Sequence, residues 1–217
     1  MVKLNFKKHI TLSFFRNIPN IITIFRIFLA LISIILLLID FYAKESNVVY
    51  KVLEAKISTM RLSSTIIFIV AAFSDFLDGY IARKYNLVTN LGKILDPISD
   101  KILVNGVLIC LTLDYTALAY LTIINILRDI FIDGLRMFAT SKKIIISANI
   151  FGKIKSVLLF ISICFILFLL SSTSSEKNIY LFNIPLFLAT VLSIISGTIY
   201  YINFYKGVKK RGSIRKN

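Results

Sequence analysis

Residues 64–83 read STIIFIVAAFSDFLDGYIAR: a mostly apolar decapeptide followed at once by Asp75 and Asp78, three residues apart. At 1.5 Å per residue, twenty helical residues cover about 30 Å, the thickness of the hydrocarbon layer. The stretch belongs to an apolar segment at 63–83, and five more segments of similar length lie at 20–42, 94–113, 116–138, 150–172 and 180–204. Most of the connections are short, and the longest is the charged stretch at 43–61. This pattern predicts an all-α membrane protein with six transmembrane helices.

Composition agrees. The 217 residues are 57% hydrophobic and only 17% charged, with a mean hydropathy of +0.82. A soluble domain carries roughly a quarter charged residues. The formal net charge of +15 does not point to nucleic acid. The basic residues cluster between apolar blocks, as orientation signals and lipid-headgroup contacts do, rather than covering a polar surface. Cys110 and Cys164 lie inside apolar blocks without metal or redox spacing, and His9 sits in a basic leader.

Residues 1–18 mix Lys3, Lys7, Lys8 and Arg16 with Phe and Ile, a composition suited to an interfacial amphipathic helix. Pro19 is expected to open the first spanning helix. Residues 19–205 form the six-helix domain, and 206–217 form a basic tail. Lys and Arg concentrate on the side holding both termini, which places the termini in the cytoplasm and predicts an integral protein of the cell membrane. That topology brings Asp75 and Asp78, Asp96 and Asp100, and the charged half of the fourth segment (Arg128, Asp129, Asp133, Arg136) to the cytoplasmic side.

The full acidic pattern is Asp75-x2-Asp78-Gly79-x2-Ala82-Arg83-x8-Gly92-x3-Asp96-x3-Asp100, which takes four of the chain's eight aspartates. On helices, Asp75, Asp78 and Ala82 share one face, as do Gly92, Asp96 and Asp100. Four carboxylates at membrane depth repel one another and are costly unless cations neutralise them. Such an oxygen-rich set suits two Mg²⁺ or Mn²⁺ ions, and ions held there favour chemistry on a phosphate ester, with one carboxylate left as base. Gly79, Ala82 and Gly92 are small enough for a ligand or a neighbouring backbone to approach. Taken alone, a DxxDG pair also fits a helix end or an ion path.

These eight positions match the signature of the CDP-alcohol phosphatidyltransferases, and the chain is identified as resembling that family from about residue 17 to 205. The resemblance implies a six-helix, usually homodimeric membrane enzyme that moves a phosphatidyl group from a CDP-linked lipid to an alcohol and releases CMP. It implies that Asp75, Asp78 and Asp96 hold two metal ions. Asp100 would be the general base, with some part in metal binding. Gly79, Ala82 and Arg83 would contact the cytidine diphosphate, beside Gly92.

Outside the signature, NIPNIITIFRI at 17–27 resembles the bacterial branch of the family that makes phosphatidylglycerol phosphate. Asn20 and Thr23 share a face able to bond nucleotide or diphosphate. Arg128-Asp129-x4-Gly134-Leu135-Arg136 and Gly152-Lys153-Ile154-Lys155 resemble the same branch, and Arg128, Arg136 and Lys153 suit an acceptor phosphate through charge-assisted bonds. The substrates so implied are CDP-diacylglycerol and glycerol 3-phosphate, joined through the sn-1 hydroxyl. Mild departures are Asp129 where Glu is usual, Ser99 where Ala is common, and Ser156 where Thr is usual. Inositol phosphate, serine or phosphatidylglycerol as acceptor would use the same aspartates. An ion-path transporter would leave Arg83 and Gly92 without a role.

Overall fold

Inside hydrocarbon a backbone must satisfy its own polar groups, so long apolar runs become helices. The computed structural model describes residues 2–43, 49–52, 55–84, 90–142, 144, 150–169 and 176–214; at 2–19, 49–52, 55–56, 75–84, 90–91, 93–94, 176–178 and 210–214 it describes the backbone alone. Two compact units divide the chain, residues 1–113 and 114–217.

In the first unit, α1 runs unbroken over Val2–Tyr42. The helix therefore does not start at Pro19, as the sequence suggested. Residues 2–18 contain no glycine or proline to stop it, and a proline inside a long helix removes only one backbone bond. A short antiparallel hairpin follows, β1 (Val49–Val52) and β2 (Ala55–Ser58), in the register Val49↔Ser58 to Val52↔Ala55. The charged connection at 43–61 thus holds the protein's one described sheet, pinned by buried Ile57 and by a hydrogen bond from Ser58 to Asp40 at the end of α1.

Helix α2 covers Thr59–Lys84 and α3 covers Asn90–Leu113, with Pro97 in its interior. Ser33 pairs with Ser64 at 2.8 Å while Asp40 pairs with Ser58. Partner numbers fall on one helix as they rise on the other, so α1 and α2 are antiparallel. Between α1 and α3 the offset is constant: Thr23 meets Asp96 and Arg26 meets Ser99, both 73 residues apart. These two helices run parallel. They approach closely at Gly106, where an added Cβ would lie 2.4 Å from Ile34 Cδ1.

The second unit contains α4 (Ala119–Ser141), α5 (Ile150–Leu169), the short α6 (Glu176–Phe182) and α7 (Ile184–Ile214). The segment expected at 180–204 is therefore divided at Asn183, and Pro185 sits in the first turn of α7, where a missing N–H costs nothing. A polar ladder joins α4 to α7. Asn183 Oδ1 accepts from Leu118 N, Asn125 Nδ2 donates to Thr190 Oγ1, and Arg128 Nε donates to the Ser193 carbonyl, each pair 65 residues apart. The constant offset makes α4 and α7 parallel as well.

Among the described residues, three segments are long and apolar enough to cross a membrane: Asn20–Tyr42, Ile150–Leu169 and Ile184–Lys209. Their outward sides are greasy, as shown by Ile24, Phe28, Ile35, Ile161 and Phe187. Helices α2, α3 and α4 have 26, 24 and 23 residues, which is enough length. The described side chains of α2 form a shorter apolar stretch, Thr59–Ser74, while α3 and α4 carry Asp96, Asp100, Lys101, Arg128, Asp129, Asp133 and Arg136 among their apolar residues.

Candidate active site

The last turns of α2 carry Asp75, Asp78, Gly79, Ala82 and Arg83, whose side chains lie outside those described. Helix α3 supplies the other half, with Gly92 buried and Asp96 and Asp100 exposed one turn apart. Thr23, wholly buried on α1, donates its hydroxyl proton to Asp96 Oδ1 at 2.9 Å. Asn20 is half-buried three residues earlier on the same helix. The sequence expected Thr23 to bond nucleotide or diphosphate; one partner of its hydroxyl is a carboxylate of the signature.

Arg26 was not among the expected site residues. It is fully buried and donates from Nη1 to Ser99 Oγ at 3.1 Å, while Ser99 Oγ donates to the Asp96 carbonyl at 2.9 Å. A signal for it was present: an arginine one turn after Thr23, in the middle of an apolar run, is a functional candidate by default.

Among the described residues no three Asp, Glu, His or Cys side chains come together; two of the four signature aspartates fall outside that set. The donors on α3 are carboxylate oxygens. Hard oxygen donors without sulfur or imidazole fit Mg²⁺ or Mn²⁺.

In the second unit, Asp129 stands between two cations. Lys155 Nζ reaches both of its carboxylate oxygens, at 2.9 and 2.8 Å, and Arg128 Nη1 reaches Oδ1 at 2.9 Å. Arg128 also donates from Nε to the Ser193 carbonyl at 2.9 Å and from Nη2 to Ser196 Oγ. Three of its five N–H groups are thereby used, leaving one on each terminal nitrogen. Gly197 leaves space for the arginine stem: a Cβ there would lie 3.3 Å from Nε. Arg136 rests over the Tyr200 ring at 5.9 Å, and Lys153 is exposed on α5. Of the two lysines in Gly152-Lys153-Ile154-Lys155, the buried one with a carboxylate partner is Lys155, which the sequence had not singled out.

Comparison with known proteins decides the family. A family model described as CDP-alcohol phosphatidyltransferase matches residues 16–198. The chain belongs to the CDP-alcohol phosphatidyltransferase family. The match takes in the whole acidic signature, Thr23 and Arg26 on α1, and the Arg128–Asp129–Lys155 cluster. A Mycoplasma genitalium protein named CDP-diacylglycerol–glycerol-3-phosphate 3-phosphatidyltransferase is 37% identical over 207 residues, 91% of this chain and 88% of that protein. Proteins of the same name from Mycoplasma pneumoniae and Bacillus subtilis are 38% and 35% identical, covering 89% of this chain and 90% and 97% of their own lengths.

Proposed function

We propose that this phosphatidyltransferase moves the phosphatidyl group of CDP-diacylglycerol to the sn-1 hydroxyl of glycerol 3-phosphate, giving phosphatidylglycerol phosphate and CMP. The observation that carries this is similarity along nearly the whole chain to proteins named for that reaction, with every position of the acidic signature present. Asp100 takes the proton of the acceptor hydroxyl. The hydroxyl oxygen bonds to the β-phosphorus, and the bond from that phosphorus to the bridging oxygen breaks, so that CMP leaves with its own phosphate.

Asp75, Asp78, Asp96 and Asp100 would hold two divalent ions, Mg²⁺ or Mn²⁺, which when bound neutralise the diphosphate and the charge developing on CMP. Divalent-metal dependence is general in the family. Thr23 fixes one oxygen of Asp96. Asn20, Thr23, Gly79, Ala82, Arg83 and Gly92 serve the cytidine diphosphate. Arg128, Arg136 and Lys153 hold the acceptor phosphate. Arg128 does so with the two N–H groups not used by α7 and Asp129, and it is pre-oriented by them, so little conformational entropy is lost on binding. Two anionic substrates repel each other, and fixed cations offset that repulsion.

In this proposal α1–α5 and α7 are six membrane spans, with both termini and the active site at the cytoplasmic side of the cell membrane. Residues 1–18 lie at the interface, 19–205 form the catalytic domain, 206–217 are a basic tail, and the enzyme is a homodimer. The parallel pairs α1/α3 and α4/α7 support the alternation that six spans require. The test is CMP release by purified protein with CDP-diacylglycerol, Mg²⁺ and glycerol 3-phosphate, run beside inositol phosphate, serine and phosphatidylglycerol. Release with glycerol 3-phosphate alone, lost in Asp100→Asn, is expected; release with a different acceptor would overturn the acceptor assignment.

A further inference from the structure

Pro97 has no N–H, so α3 lacks the backbone bond that residue 97 would give to residue 93. The helix is therefore weakened in the turn that carries Asp96. Two contacts from α1 meet it there, with the same offset of 73 residues. Thr23 holds the Asp96 carboxylate at 2.9 Å. Arg26 holds Ser99 at 3.1 Å, and Ser99 in turn holds the Asp96 carbonyl at 2.9 Å. One contact sets the side chain and the other sets the backbone.

Arg26 and Ser99 are both 0% exposed. Withdrawing a guanidinium from water is expensive, and a side chain chosen only for topology would extend to the membrane surface instead. Ser99 supplies the link between Arg26 and the Asp96 backbone. An alanine could neither accept from Arg26 nor donate to the Asp96 carbonyl.

We propose that Arg26 is a positioning residue for the aspartate site: acting through Ser99, it holds the Pro97 turn of α3 against α1 so that Asp96 and Asp100 keep a fixed spacing before any cation binds. The proposal rests on the assignment of these aspartates to divalent ions. It is tested on the full chain in detergent by titrating Mn²⁺ and following the free ion by electron paramagnetic resonance, alongside CMP release and thermal unfolding. The variants are Ser99→Ala and Arg26→Lys, singly and together, with Ser33→Ala as a buried-serine control on the α2 side of α1.

In Ser99→Ala, Mn²⁺ affinity falls about threefold to tenfold, the range expected for one lost hydrogen bond. Its kcat falls with it, while the KM for glycerol 3-phosphate stays within about twofold. The unfolding midpoint moves no more than in Ser33→Ala, which binds Mn²⁺ as wild type does. Adding Ser99→Ala to Arg26→Lys costs less than it does alone, because the two share the Arg26–Ser99 contact. Wild-type Mn²⁺ affinity in Ser99→Ala overturns the proposal, as does a loss matched by Ser33→Ala. If Arg26→Lys does not fold, Ser99→Ala decides alone. Wild-type protein that binds Mn²⁺ without releasing CMP refutes the proposed reaction and leaves the clamp to be judged on affinity. Wild-type protein that binds no Mn²⁺ refutes the clamp along with the cation site.

Discussion

Thr23 on α1 donates to Asp96 on α3 at 2.9 Å, across 73 residues of sequence. A buried hydroxyl thus aims a carboxylate of the signature from a different helix. Removing it in Thr23→Val keeps the volume and deletes the donor. The loss of one such bond, about 1–1.5 kcal/mol, should lower kcat/KM for CMP release roughly fivefold to tenfold. Thr23→Ser keeps the hydroxyl and should stay within about twofold of wild type. Equal activity in Thr23→Val and wild type would remove Thr23 from the site.

Asp96 and Asp100 are both exposed and one turn apart, a like-charge placement that opposes the helix by a few tenths of a kcal/mol unless neutralised. Chelating divalent ions should therefore do two things. It should reduce CMP release at least about 100-fold, reversibly on adding Mg²⁺, and it should lower the thermal midpoint, because ions that bind only the folded state stabilise it by mass action. Full activity in excess chelator would refute the cation assignment.

What could be read from the sequence depended on the kind of signal. The acidic signature was readable because its information is spacing, and spacing on a helix fixes which residues share a face. Arg26 was missed because a single charge in an apolar run says nothing of its partner until Ser99 is placed opposite. Lys155 was passed over for Lys153 because both fall in one short motif, and only burial separates them. The strands at 49–52 and 55–58 were not read from the sequence, because the residues between them, Leu53 and Glu54, include none of the Gly, Asn or Asp that signals a hairpin. The start of the first helix was misjudged at Pro19 because proline marks a boundary only where the flanking residues also stop a helix.

The parallel α1/α3 contact predicts a specific packing rescue. Ile34 Cδ1 and Cγ1 lie 2.4 and 3.1 Å from where a Cβ on Gly106 would stand. Gly106→Ala should overpack this seam and destabilise by about 1–3 kcal/mol. Ile34→Val removes the nearer atom. The double variant should recover most of the loss, which thermal unfolding in detergent measures. Additive destabilisation would mean that the two residues do not share the contact.

Asp129 neutralises two cations, whereas changing either cation leaves the carboxylate paired with the other. Lys155 is 5% exposed in its side chain and Arg128 is 17% exposed. Asp129→Leu leaves both positive charges facing each other in a partly buried setting, and breaking a buried pair in this way costs about 3–5 kcal/mol. Lys155→Met leaves Asp129 bonded to Arg128 and should cost clearly less. Replacing both, Asp129→Leu with Lys155→Met, should be milder than Asp129→Leu alone, because one of the two charges deprived of the carboxylate has gone with it. Thermal midpoints ranked in that order, with Asp129→Leu roughly 6–20 °C below wild type, are the expected result. A larger loss for Lys155→Met than for Asp129→Leu would show that the lysine has a role beyond neutralising this carboxylate.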